Sequence, residues 1–218
     1  MDSNSLAHKI KSIEINSQIN EDQLRIKFCN MFDPESKVLD CGKSLRDSFE
    51  SASLRYQEVK TIDINSFADY PDYLADICDF QQMKRFESSF DAIACFSLLE
   101  HCYNPFNACE NLYSALKPNG VLVGSAPFLF PRHSPENLEY QDYFRFTRDA
   151  YAVLFPASKK IELFPLRGRI ATSLNVLSTR YRFNFENLFP KLSSRVNSLS
   201  SSGRQALQTS GYGFIIWK

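Results

Sequence analysis

The stretch that most constrains the fold runs from Phe90 to Pro127 and reads FDAIACFSLLEHCYNPFNACENLYSALKPNGVLVGSAP. Asp91 to Phe96 is a short apolar run of the length expected for a buried strand. A helix should follow, because Ala108, Leu112, Tyr113, Ala115 and Leu116 recur at three- and four-residue steps. Lys117, Pro118, Asn119 and Gly120 then stop it, with a cation in the last turn, a proline that cannot continue the helix, and an Asn-Gly turn. Val121 to Ser125 is a second apolar run. Strand, helix, stop and strand within about 35 residues make a βαβ unit with two parallel strands.

The flanking sequence extends that rhythm. Lys37 to Cys41 is a short apolar run that ends in Asp40 and Gly42, a strand entering a tight loop. Ser44 to Leu54 can form a helix. Glu58 to Asn65 alternates and is rich in β-branched residues, which predicts a strand ending at Asp63. Tyr73 to Ile77 reads as a short third strand, Lys160 to Phe164 as a sixth and Gly211 to Lys218 as a last one. Strands separated by helices predict an open, mostly parallel α/β sheet, in which ligands bind outside the carboxyl ends of the strands.

Residues 1–35 read as an N-terminal helical cap, and 36–218 as the main domain. Within it, 128–147 is dense in aromatics and charges and too long for a simple connection, so it is expected to act as a lid. Thr147 should cap a helix from Arg148 to Phe155. An insertion at 166–210 carries Ile170, Leu174, Leu177 and Tyr181 at helical spacing, then a serine-rich half.

Charge excludes one class of partner. Lys+Arg and Asp+Glu balance at 25 each, so no bulk polyanion such as duplex nucleic acid is expected. No signal-peptide core opens the chain, and no run approaches the roughly 18 apolar residues that span a bilayer. The 6 cysteines form no Cys-x-x-Cys pair, and His8, His101 and His133 are not at zinc spacing from them. They read as reduced, buried thiols of a cytoplasmic protein, and no metal site is expected.

These residues resemble the class I S-adenosylmethionine-dependent methyltransferases, the type 11 subgroup above all, over roughly 36–155 and the final strand. The resemblance rests on the strand, Leu99-Glu100-His101, Asn104-Pro105, the amphipathic helix and Leu116-Lys117-Pro118-Asn119-Gly120, and on the later PRHSPENLEYQDYFRFT. It implies a Rossmann-like, three-layer α/β/α fold with a seven-stranded, mostly parallel sheet whose last strand is antiparallel. It implies S-adenosylmethionine as cofactor, held by Asp40, Gly42 and Ser44 in the first loop, Asp63 and Ile64 after the second strand, Asp76 and Ile77 beside the adenine, and Ser97 near the sulfonium. Asp63 would accept from the ribose hydroxyls. The family loop reads Asp-x-Gly-x-Gly-x-Gly, whereas here Asp40-Cys41-Gly42-Lys43-Ser44-Leu45-Arg46 keeps only the first glycine.

His101 and His133 are the candidate bases, since imidazole titrates near neutral pH. Alternatively, His101 caps a helix or holds the Asn104-Pro105 turn. Tyr143 and Arg145 could bind a polar substrate, or Arg145 could instead pair with Asp142 inside the loop. The expected function is methyl transfer to a small-molecule acceptor. The alternative is a degenerate methyltransferase fold serving as a binding or assembly module. A nicotinamide-dependent Rossmann enzyme ranks below both, because Lys43 to Arg46 lack the glycines that let a pyrophosphate approach.

Overall fold

In the computed structural model, residues 2–66, 68–135, 140–169, 171–173 and 208–218 are described. Most of the 166–210 insertion, including Ile170, Leu174, Leu177 and Tyr181, lies outside them. The described strands are β1 (Glu14–Ile15), β2 (Lys37–Cys41), β3 (Glu58–Asp63), β4 (Tyr73–Leu74), β5 (Phe90–Phe96), β6 (Leu116–Pro127), β7 (Lys160–Pro165) and β8 (Gly211–Trp217). They form one sheet of 8 strands in the order β1-β7-β8-β6-β5-β2-β3-β4. Only β8 runs against its neighbours, pairing antiparallel with β6 and β7.

The sheet has one more strand than expected. The extra one is β1, which comes from the N-terminal segment and adds to β7 in parallel at the sheet edge. Two residues are too short and too exposed to show a strand pattern in the sequence. A second difference concerns the helix stop. α5 (Pro105–Ala115) ends earlier than its periodicity suggests, and the Lys117 to Gly120 turn falls inside β6 as an irregular register between Phe90↔Leu116 and Ala92↔Val121.

Period-two alternation divides the core into two layers. Leu39 and Cys41 of β2, with Ile93 and Cys95 of β5, face the layer that holds α5 and α6 (Ala150–Leu154). Val38 of β2 and Ala92, Ala94 and Phe96 of β5 face α2 (Glu21–Cys29) and α3 (Phe49–Arg55). α1 (Ser3–Lys11) and α4 (Phe80–Met83) complete the described helices. α6 is shorter than the Arg148 to Phe155 expectation. Asp149, not Thr147, is its cap residue, and no side chain caps it.

Gly124 shows how tightly β6 is packed: a Cβ there would lie 1.9 Å from Cys95 O and 2.6 Å from Phe214 Cζ. All 6 cysteines are buried and free. Among the described residues no helix is long and apolar enough to cross a membrane.

Candidate active site

The strand order reverses between β2 and β5. Chain after β2 proceeds outward through β3 and β4, while chain after β5 proceeds the other way through β6. The carboxyl ends of β2 and β5 therefore flank the crevice where an open α/β sheet binds ligand. Gly42 leaves β2 with φ +67°, and a Cβ on it would stand 3.0 Å from Leu98 Cδ1, just past the end of β5. Both the left-handed backbone and the close leucine favour glycine there.

Asp40 organises this loop from beneath. It is fully buried, and its Oδ1 accepts from Ser44 N (2.9 Å), Ser44 Oγ (2.8 Å) and Leu45 N (3.2 Å). Burial raises its pKa to about 6, a rise that those hydrogen bonds limit. Lys43 and Arg46 are left-handed, with φ 52° and 51°. The backbone at Arg46 thus keeps a conformation glycine adopts readily, at a position where the chain carries arginine.

Asp63 ends β3 at the same edge. Its Oδ1 accepts from Asn65 N at 2.9 Å and its Oδ2 from Tyr70 Oη at 2.9 Å. Lys43 Nζ lies 5.5 Å from the centre of the Tyr70 ring, so this pair stands beside Asp63. Ile64, next in the chain, is 61% exposed. Asp76 Oδ1 accepts from Cys78 N, and Ile77 is buried with its carbonyl held by Asn111 Nδ2 at 2.9 Å.

An element of the N-terminal segment reaches the centre of this edge. Asn20 and Gln23 form a reciprocal capping box that fixes the start of α2. In its first turn Glu21 points inward, and its Oε1 accepts from Ser97 Oγ (2.7 Å) after β5 and from Ser125 Oγ of β6. Glu21 Oε2 meets Arg25 Nη2 at 2.7 Å, and Arg25, 2% exposed, donates from Nε to Ser44 O at 2.9 Å. Burial pushes the Glu21 pKa up, but Arg25 and the hydroxyls of Ser125 and Ser97 together bring it below the ordinary value. Sequence reading missed Glu21 and Ser125. The only local signal was the capping box, which locates a helix start but not what its first acid touches.

The chain after β6 carries the second polar centre. Tyr143 N donates to Glu100 O (2.8 Å) and Phe146 N to Pro127 O (2.9 Å), which fastens residues 143–146 to the ends of β5 and β6. Glu100, 1% exposed, has Oε1 3.8 Å from His101 Nε2 and 3.7 Å from His133 Nε2. The donor atoms of these three residues all lie within 4.8 Å of one another. Histidine–cysteine spacing in the sequence carries no signal for a carboxylate that stands between two histidines. Hydrogen bonding to Glu100 raises the His133 pKa, burial lowers it, and Asp142 adds to the rise.

Arg145 forms the internal pair with Asp142 that stands as the alternative to substrate binding. Its Nε donates to Phe130 O, its Nη1 to Asp142 and Phe144 O, and its Nη2 to Pro131 O and Asp142. A guanidinium has five N–H donors, and all of them are used within the lid. Burial pushes Asp142 up, but Arg145 and the His133 amide outweigh it and lower its pKa to about 2. Tyr143 is 49% exposed, with its hydroxyl on Gln141 Oε1.

Comparison with known proteins agrees with the topology. Residues 47–124 match the family model described as a methyltransferase domain. A SAM-dependent methyltransferase from Archaeoglobus fulgidus superposes with TM-score 0.57 at 15% identity, covering 90% of this chain and 92% of that one. Phosphoethanolamine N-methyltransferase 2 of Haemonchus contortus, in complex with S-adenosyl-L-methionine, gives 0.54 at 13% identity over 90% of this chain and 51% of that one. This is the class I methyltransferase fold. The [4+2]-cyclase SpnF shares it, with TM-score 0.52 at 14% identity over 98% of this chain and 91% of that one. The methyltransferase fold therefore carries more than one chemistry. No curated protein sequence matches the chain.

Proposed function

We propose that this chain transfers a methyl group from S-adenosylmethionine to a small-molecule acceptor, in the cytoplasm. The observation that carries the reading is Asp63, a strand-end carboxylate beside the left-handed Gly42 turn at the sheet's switch point. A carboxylate offers about four lone-pair sites. Asn65 N and Tyr70 Oη occupy one on each oxygen, which leaves one on each for a ribose diol. The residues present therefore fit the cofactor.

Asp63 would hold the ribose, the loop from Gly42 to Ser44 the methionine part, Asp76 and Ile77 the adenine edge, and Ser97 the region near the sulfonium. The cofactor, when bound, supplies an electrophilic methyl group on sulfur. What this chain contributes is position and exclusion of water. Asp40 fixes the loop, α2 covers the ends of β5 and β6 through Glu21, and the lid from 128–147 covers the acceptor side. His101, His133 and Tyr143 are the groups we place toward the acceptor.

The second reading is a binding module built on the same fold. It is favoured by Tyr70 and Lys43, which stand against Asp63, and by the bulky side chains on the loop. Calorimetry with S-adenosylmethionine and its demethylated product separates the two. Binding that Asp63→Ala weakens by at least about tenfold, or about 1.4 kcal/mol, supports the enzyme. No heat from folded protein at about millimolar cofactor, a Kd weaker than about −4 kcal/mol of binding, leaves only the module.

A further inference from the structure

We propose that Glu100, His101 and His133 bind a divalent first-row transition cation of the zinc class. Three observations point there independently of the methyl-transfer reading. The first is the donor set: two imidazole Nε2 atoms stand 3.8 and 3.7 Å from one carboxylate oxygen. Metal–ligand bonds of about 2.0–2.2 Å place neighbouring ligand atoms roughly 3–4 Å apart, so small rotations of the two rings suffice to close the shell.

The second is an orphan. Glu100 is 1% exposed, and its Oε2 has no hydrogen-bond partner among the described residues. An ionised carboxylate in that position is costly unless a positive charge is supplied. A cation at the two imidazoles supplies it.

The third is the outer shell. His101 Nδ1 sits 2.5 Å from Gln141 O, and His133 Nδ1 sits 3.2 Å from Asp142 Oδ2. Asp142 is itself fixed by Arg145 and by His133 N at 2.9 Å. Each imidazole therefore has its Nδ1 held from behind and its Nε2 turned to Glu100, the arrangement by which proteins orient metal-binding histidines. Imidazole with carboxylate selects zinc, cobalt, iron or nickel over magnesium or calcium.

Two ligands come from the turn after β5 and the third from the lid, so the cation would clip the lid to the sheet. Three protein ligands leave a coordination position open at the mouth where an acceptor oxygen could enter.

The test uses the full chain, stripped with chelator and titrated with Zn²⁺ and Co²⁺. We expect one cation per chain with Kd of about micromolar or tighter, visible cobalt bands of a low-coordinate site, and a rise in Tm of a few degrees. His133→Ala, a change in the surface lid, should weaken binding by about 10- to 100-fold, and Glu100→Gln likewise. His8→Ala should leave binding unchanged. The proposal is overturned if folded wild-type protein binds no Co²⁺ at about 1 mM, if His133→Ala binds as wild type, or if Mg²⁺ is preferred to Co²⁺.

Discussion

Glu21 and Glu100 are both inward-facing carboxylates at the same edge of the sheet, yet their surroundings treat them in opposite ways. Glu21 arrives on α2 and finds Arg25, Ser97 and Ser125, so its charge is shared over three partners and ties α2 to the ends of β5 and β6. Glu100, in the turn after β5, is more deeply buried and has two histidines beside it but, among the described residues, no donor on Oε2. A saturated carboxylate rigidifies its site. An unsaturated one has capacity left to bind something. In physical terms Glu21 fixes α2 to the sheet, while Glu100 keeps an acceptor oxygen unfilled among the described residues.

Mutations can break that contrast. Glu21→Ala should have the largest effect, because it strands the buried Arg25 guanidinium with Asp22, which is 86% exposed, as its remaining ion partner. We expect a loss of about 3–4 kcal/mol in urea unfolding. The same bridge depresses the Glu21 pKa, so its contribution is complete above the ordinary carboxylate range and fades as pH falls through the folded value.

Asp40→Asn probes the loop with the opposite sign. The folded pKa of Asp40 is raised from 3.8 to about 6, so the native state binds its proton more tightly than the unfolded chain does. Wild-type stability should then decline between these two values, and the full penalty should hold above them. An asparagine keeps the Oδ1 acceptor and escapes the titration. Its stability relative to wild type should therefore grow by about 2–3 kcal/mol from about pH 4 to about pH 7, read by denaturant melts across that range.

Glu100→Gln sharpens the comparison most directly. In chelated buffer at about pH 8.5, replacing a buried carboxyl group whose Oε2 has no donor among the described residues should leave stability unchanged or raise it by about 1–2 kcal/mol. Glu21→Gln under the same conditions should lower it. Equal losses at both sites would erase the distinction. The smallest effect is expected for Arg46→Gly. Releasing a left-handed arginine gains about 1–2 kcal/mol of backbone strain and returns about 0.5–1 in chain entropy, for a net rise of about half a kcal/mol. Chemical denaturation detects this if replicated.

Local sequence determined a good deal. Short apolar runs in Lys37 to Gly42 and Asp91 to Phe96 specified buried strands, and the stretch from Phe90 to Pro127 specified a parallel βαβ unit. Asp40, Gly42 and Asp63 could be placed because a strand end is a local feature, and an acid or glycine there has few other reasons to exist. β1 and the true ends of α5 and α6 were not legible, because two-residue strands and frayed turns have no period to read.

The tertiary structure decided which side chains meet. Glu21 reaches Ser97 and Ser125 across 76 and 104 residues of chain, and His133 reaches Glu100 only because the chain after β6 folds back over the end of β5. For Arg145 the sequence left substrate binding and an internal pair with Asp142 as alternatives, and the fold shows the pair with Asp142. Periodicity records which face of an element is buried. It does not record what that face is buried against, since that is set by sheet order and by the return path of the lid.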